Sequence, residues 1–167
     1  MRLGKYINVM LIIIIALTFS ACALEKNDYE EDLTMIKVVL YRGPTEIYLF
    51  ELKMDGMLNV LSGNRYINDF TNPRNIDIVK SNSILLSEDQ LLFFNQKIEL
   101  TQNSEFSGGF VRGAWNVKIL LGDEMYHFSY GSLNNENFNK LVTMFIEMSP
   151  IEIVDRVGRA VRPIIIN

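Results

Sequence analysis

The chain has 167 residues, of which 49% are hydrophobic and 22% charged, with 10 Gly, 4 Pro and one Cys. That balance excludes a disordered or collagen-like chain, and a formal charge of -4 gives no electrostatic ground for a nucleic-acid partner. A single Cys excludes an internal disulfide, and the length suits one ordinary globular domain.

Residues 1 to 21 read as a signal peptide. Arg2 and Lys5 open the chain, an apolar run extends from Tyr6 to Ala21 with Ile12 to Ile15 in succession, and no acidic residue precedes Glu25. This is the order of a secretory signal: basic start, apolar middle, small residues before the cut. The run is shorter than the ~20 apolar residues a membrane-crossing helix needs. At its end, Phe19-Ser20-Ala21-Cys22 resembles the lipobox of bacterial lipoproteins, in which small residues precede a cysteine.

The resemblance covers only these first 22 residues, and it implies that Cys22 is the lipidation site. In that family the sulfur receives a diacylglyceryl group, and cleavage then makes the cysteine the new N-terminus. Two or more acyl chains, palmitate among them, anchor durably where one binds only marginally. The implied location is a bacterial cell membrane or outer membrane, on its extracytoplasmic side. Ala23, standing where Asp would retain a lipoprotein at the inner membrane, implies no such retention. Two other outcomes remain open. Ala21-Cys22-Ala23 also reads as an A-x-A cleavage site that would release a soluble protein, and the uncleaved run would be a membrane anchor. Without Arg2 and Lys5 the remaining 14 basic residues face 20 acidic ones, a charge of -6.

Residues 22 to 34 read as an acidic tether, with Glu25, Asp28, Glu30, Glu31 and Asp32 against Lys26. It lacks the ordered acidic positions and turn glycine of a calcium loop. A single α+β globular domain is expected over 35 to 167. Strands are expected at Ile36–Tyr41, Thr45–Met54 and Met57–Leu61, the last two joined by an Asp55-Gly56 hairpin turn. Apolar residues on both faces of the second strand mark it as central and covered on each side. Residues 62 to 75 read as a polar connection, followed by two short strand-like runs, Ile76–Lys80 and Ile84–Leu86.

Ser87 with Gln90 reads as a capping box opening a helix to about Glu99, with Leu91, Phe94 and Ile98 on its inward face and Glu88 and Asp89 at its positive end. After a polar, Gly-rich stretch over 101 to 113, Trp115–Leu121 alternates as a strand. Gly122-Asp123 fits a II′ turn, and Met125–Tyr130 returns as its partner. Asn134 or Asn135 caps a last helix whose Phe138, Leu141, Val142, Phe145 and Ile146 form one stripe. Ser149-Pro150 ends it and can start another short helix. The order predicts an antiparallel sheet built from β-hairpins with two main helices against it, similar only in pattern to small secreted domains of unassigned role.

His127 is the only histidine. A hydrolase would pair it with Ser129 or Ser132 as nucleophile and Asp123 or Glu124 as acid. No G-x-S-x-G elbow accompanies it, and an ordinary hydrogen-bonded strand histidine accounts for it as well. With one His and one Cys, no metal or cofactor is expected. Ser107-Gly108-Gly109 and Gly113 have the backbone exposure of a phosphate cradle but no G-K-[ST] and no helix start. The same loop carries Phe106, Phe110, Arg112 and Trp115, a partner-contact surface by residue type, although core packing accounts for Phe110 and Trp115 more simply. Arg156, Arg159 and Arg162 would share one side of a helix ahead of a final strand, Ile164–Ile166; a solvated face is the plain reading and anionic lipid or wall polymer the functional one. The expected protein is therefore an envelope lipoprotein whose domain binds an envelope protein, polymer or small ligand. The alternatives are an envelope hydrolase using His127 or an immunity-type protein against a secreted toxin.

Overall fold

The computed structural model describes residues 34–43, 46–65, 75–154 and 160–161. The expected signal peptide, Cys22, nearly all of the expected tether, Arg156, Arg159, Arg162 and the expected strand Ile164–Ile166 lie outside these residues. The described residues fall within one unit, Leu33–Asn167. It is α+β. Strands β1 (Thr34–Arg42), β2 (Glu46–Lys53), β3 (Met57–Arg65) and β4 (Ile76–Leu85) are followed by helix α1 (Glu88–Gln102). Strands β5 (Asn116–Leu121) and β6 (Glu124–Ser129) and helix α2 (Glu136–Glu147) complete it. The strands form one antiparallel sheet in the order β4-β3-β2-β1-β5-β6.

Alternation along each strand sorts the side chains between two faces. Ile36, Val38 and Leu40 of β1, Tyr48, Phe50 and Leu52 of β2, and Val117, Ile119 and Leu121 of β5 share a core with Phe94 and Ile98 of α1 and the α2 stripe. Phe145 of α2 meets Phe94 at 4.8 Å and Phe50 at 5.7 Å between ring centroids. Each large side chain buried here contributes about 1.5–3 kcal/mol of transfer free energy. On the opposite face Val39, Ile47, Leu49 and Ile76 form a second buried cluster. The middle strands are therefore apolar on both sides, and β2 is the doubly covered strand its sequence predicts.

Local signals set several boundaries. The Ser87 hydroxyl accepts from the Gln90 amide at 3.2 Å, and the Ser87 amide donates to the Gln90 side chain at 2.8 Å, completing the capping box. At the β2–β3 turn, Gly56 has φ +86 and the Met57 amide donates to the Asp55 carboxylate at 2.9 Å. At the β5–β6 turn, Gly122 has φ +60 while Asp123 has negative φ, which fits II′ and not I′.

Three expectations are corrected. Part of the supposed connection, Ser62–Arg65, belongs to β3, and the two short runs beyond it are one ten-residue strand, β4. Ser81, Asn82 and Ser83 stay extended because they pair with Leu61, Val60 and Asn59, and the Ser83 hydroxyl donates to the Asn59 side chain at 2.7 Å. Pairing thus outweighs weak strand propensity. β4 is an edge strand with Asp77–Leu85 all exposed, and Val79 is an extra residue in its register, a bulge. Finally, no helix follows Pro150 within residues 151–154. Val154 is held instead by Tyr48, whose phenol donates to its carbonyl and accepts from its amide, both at 3.0 Å. Burial pushes that phenol above the ordinary tyrosine range.

The bulge demands glycine opposite it. A Cβ at Gly63 would lie 2.2 Å from the Asp77 carbonyl oxygen and 2.8 Å from the Ile76 side chain. Gly63→Ala is expected to cost about 1–3 kcal/mol by overpacking, measured by chemical denaturation. The capping variant Ser87→Ala, at about 1 kcal/mol, is the yardstick; a smaller loss for Gly63→Ala would mean that the β3–β4 approach relaxes.

Candidate functional site

Residues 103–115 leave α1 and travel around the β6 edge of the sheet before entering β5. Such a segment has no regular ladder to satisfy its backbone, so other groups must supply the partners. Three buried polar side chains supply several of them, and a fourth holds the neighbouring loop. Asn135 accepts from the Ser107 amide at 3.0 Å and donates to its carbonyl at 2.8 Å. Ser129 accepts from the Val111 amide at 2.6 Å and donates to Asn116 at 2.9 Å, while Asn116 donates to the Ala114 carbonyl at 3.1 Å. Asn139, within α2, accepts from the Gly131 amide at 2.8 Å and donates to the Ser132 carbonyl at 2.7 Å. Two loops, 107–115 and 130–132, are thereby pinned side by side.

Of the two expected caps, Asn134 and Asn135, the structure places Asn135 at the N-cap. It ends a 3-10 turn over Leu133–Asn135 but makes no capping bond because its side chain is committed to Ser107. Asn139 interrupts the apolar stripe of α2 one turn later. A buried polar residue inside such a stripe was the signal in the sequence for a side chain holding backbone elsewhere.

The four residues expected at a partner surface are not brought together. Phe106 packs against Phe138 at 5.0 Å and Tyr126 at 5.2 Å, on the helix-bearing side of the sheet. Trp115 is half-buried beside Tyr48 at 6.1 Å. Arg112 is exposed in the turn before Gly113. Phe110 does not enter the core: it is 67% exposed and lies nearly parallel to the His127 ring, at 12° and 5.5 Å. Phe110 is therefore the most exposed aromatic of this loop, ahead of Phe106 at 37%.

His127 is half-buried between Phe110 and Tyr41, and its Nε2 shares a 2.6 Å hydrogen bond with the Tyr41 hydroxyl. Burial holds its pKa below the ordinary value of 6.5, and the nearby Lys118 ammonium lowers it further. Of the residues expected in a hydrolytic set, Ser132 stands in the loop that follows β6. The Ser129 hydroxyl is spent on Asn116 and Val111, Tyr126 bonds the Glu124 carboxylate, and Asp123 sits exposed in the β5–β6 turn. Two amides of the supposed phosphate cradle are already spent: that of Ser107 donates to Asn135 at 3.0 Å and that of Gly109 to the His127 carbonyl at 3.1 Å. Among the described residues no three His, Cys, Asp or Glu side chains cluster to hold a metal ion.

Between the two pinned loops lies an open cleft of about 510 Å³, lined by Ser107, Gly108, Gly109, Phe110, Ser132 and Asn134 among others. No protein-family model matches the chain, and no curated protein matches it. The site must therefore be read from its own chemistry. Among the described residues no helix is long and apolar enough to cross a membrane.

Two outcomes follow from this geometry. Asn135→Ala leaves both backbone groups of Ser107 without their partner and is expected to cost about 1–3 kcal/mol, with faster hydrogen exchange at the Ser107 amide. For His127, a folded-state pKa below the unfolded value means that the unfolded chain binds more protons. The associated stability is present above about pH 6.5 and lost as pH falls from there through the lower folded-state value. Melting temperatures followed from pH 7.5 to 5 should show this loss in the native chain and a flatter profile in His127→Gln.

Proposed function

We propose that this protein is a bacterial envelope lipoprotein, held on the extracytoplasmic side of a membrane by lipid on Cys22, and that its domain is a non-enzymatic binding module. The observation that carries the reading is Phe19-Ser20-Ala21-Cys22 at the end of a basic-then-apolar segment. The sequence between that cysteine and β1 is acidic and poor in apolar residues, as suits a solvated spacer. The domain is read as a hairpin-built sheet with both helices on one face, a rigid support for the loops at its β6 edge.

Binding is favoured over hydrolysis by where the polar groups are spent. Ser129, one of the two candidate nucleophiles, and His127 are each engaged with another residue, and the buried asparagines serve to fix loop shape. A surface loop held in one conformation loses less entropy on meeting a ligand.

The intact mass of the membrane-extracted protein tests the anchor. A species beginning at Cys22 with added acyl mass is expected, and Cys22→Ala should abolish the added mass and move most of the protein out of the lipid-anchored fraction. A start at Leu24 without lipid would make the protein a secreted one, and an intact start at Met1 would make the apolar run its anchor. For the binding role, the full-length protein immobilised in detergent should retain a saturable envelope component; recovery of nothing would count against it.

A further inference from the structure

We propose that the cleft between the 107–111 and 130–134 loops binds a neutral saccharide, with the exposed ring of Phe110 as its stacking surface. The inference rests on reading the domain as a binding module and names the class of ligand that the module takes.

Size is the first consideration. At about 510 Å³ the cleft lies within the range of about 300–1,000 Å³ that holds small ligands. A second cleft, near Glu46, Lys80 and Glu152, has only about 240 Å³. Charge is the second. None of the residues lining the larger cleft is Asp, Glu, Lys, Arg or His. A charged ligand would shed water there without gaining an ionic partner, which is unfavourable. An uncharged ligand has no such cost.

Polarity narrows the class further. Ser107 and Ser132 offer hydroxyls, Asn134 an amide, and Gly108 and Gly109 present backbone with no side chain to hold a ligand away. Phe110 adds one flat apolar surface, which stays 67% exposed while its ring rests on His127. Groups that donate and accept around the rim, beside the exposed Phe110 ring, match a molecule with hydroxyls at its edges and an apolar C–H face; Tyr130, the other aromatic in the lining, is half-buried with its hydroxyl bonded to Thr143. A pyranose ring has that distribution. A hydrophobic ligand would leave the hydroxyls and amide unmatched, and a peptide strand would find the adjoining β6 edge already met by Gly109, which bridges Phe128.

The cleft is also built before any ligand arrives. Its walls are the two segments pinned by Asn135 through Ser107, by Ser129 through Val111, and by Asn139 through Gly131 and Ser132. Little ordering is left for binding to impose.

Calorimetry of the full-length protein in detergent tests this with three probes: chitotriose and maltotriose, both neutral, and the anionic trigalacturonate. Saturable binding of at least one neutral trisaccharide is expected, tighter than that of trigalacturonate. It should change less than about twofold between 50 and 500 mM salt, because no ion pair is involved. Phe110→Ala should weaken it by about tenfold, while Phe110→Trp keeps a flat ring and retains it. No saturation by either neutral probe, equal affinity in Phe110→Ala, or preference for trigalacturonate would each overturn the assignment. Envelope capture by the same preparation separates the two readings: a component retained without any neutral saccharide binding removes the ligand class and leaves the binding module standing.

Discussion

The pairing of β1 with β5 is the contact on which the domain depends. In the order β4-β3-β2-β1-β5-β6 it alone joins the four-strand N-terminal meander to the C-terminal hairpin. It is also among the most distant pairings in the chain, and closing so long a loop is entropically costly before it is favourable. What compensates is burial: Val38 opposite Ile119 and Leu40 opposite Val117 are fully shielded, and the α2 stripe covers the same core. Tyr41 and His127, 86 positions apart, come within hydrogen-bonding distance only because that register is in place.

Fold and site therefore share atoms. The Asn116 side chain that supports Ser129 sits at the end of β5, directly opposite Tyr41 of β1. Asn135 and Asn139 belong to the turn and helix that complete the core, yet their amides face outward to the loops. Polar groups placed this deep are worth most when every bond is made and are costly when one is lost. The loop shape is consequently tied to global stability, unlike that of a loop resting on the surface.

How much of this was readable beforehand depended on the distance over which each signal acts. Ser87 and Gln90 define a helix start within four residues, and the spacing of Phe138, Leu141, Val142, Phe145 and Ile146 fixes the inward side of α2 without outside information. The continuity of β4 was not readable, because Ser81-Asn82-Ser83 gain their strand character only from β3. The role of Asn135 was hidden for a similar reason: its position looks like a cap, and the group that takes its side chain is Ser107, 28 residues earlier. Phe110 and Trp115 look alike as loop aromatics and core packing is the plainer reading of both, but only Trp115 is turned inward, by alternation into β5, while Phe110 has no ladder to direct it and stays outside. The signal-like N-terminus is a separate message, legible in residue order alone.

The bulge at Val79 also bears on how copies of the chain behave when crowded together. An open strand edge is a template for pairing with its neighbour. Val79 breaks the register and Lys80 adds a charge next to it, so the neutral, in-register part of β4 is only Ser81–Leu85. That is shorter than the six- or seven-residue segments that stack into fibrils. The irregularity that forces glycine at position 63 thus doubles as a guard against aggregation along the β4 edge, which is exposed among the described residues.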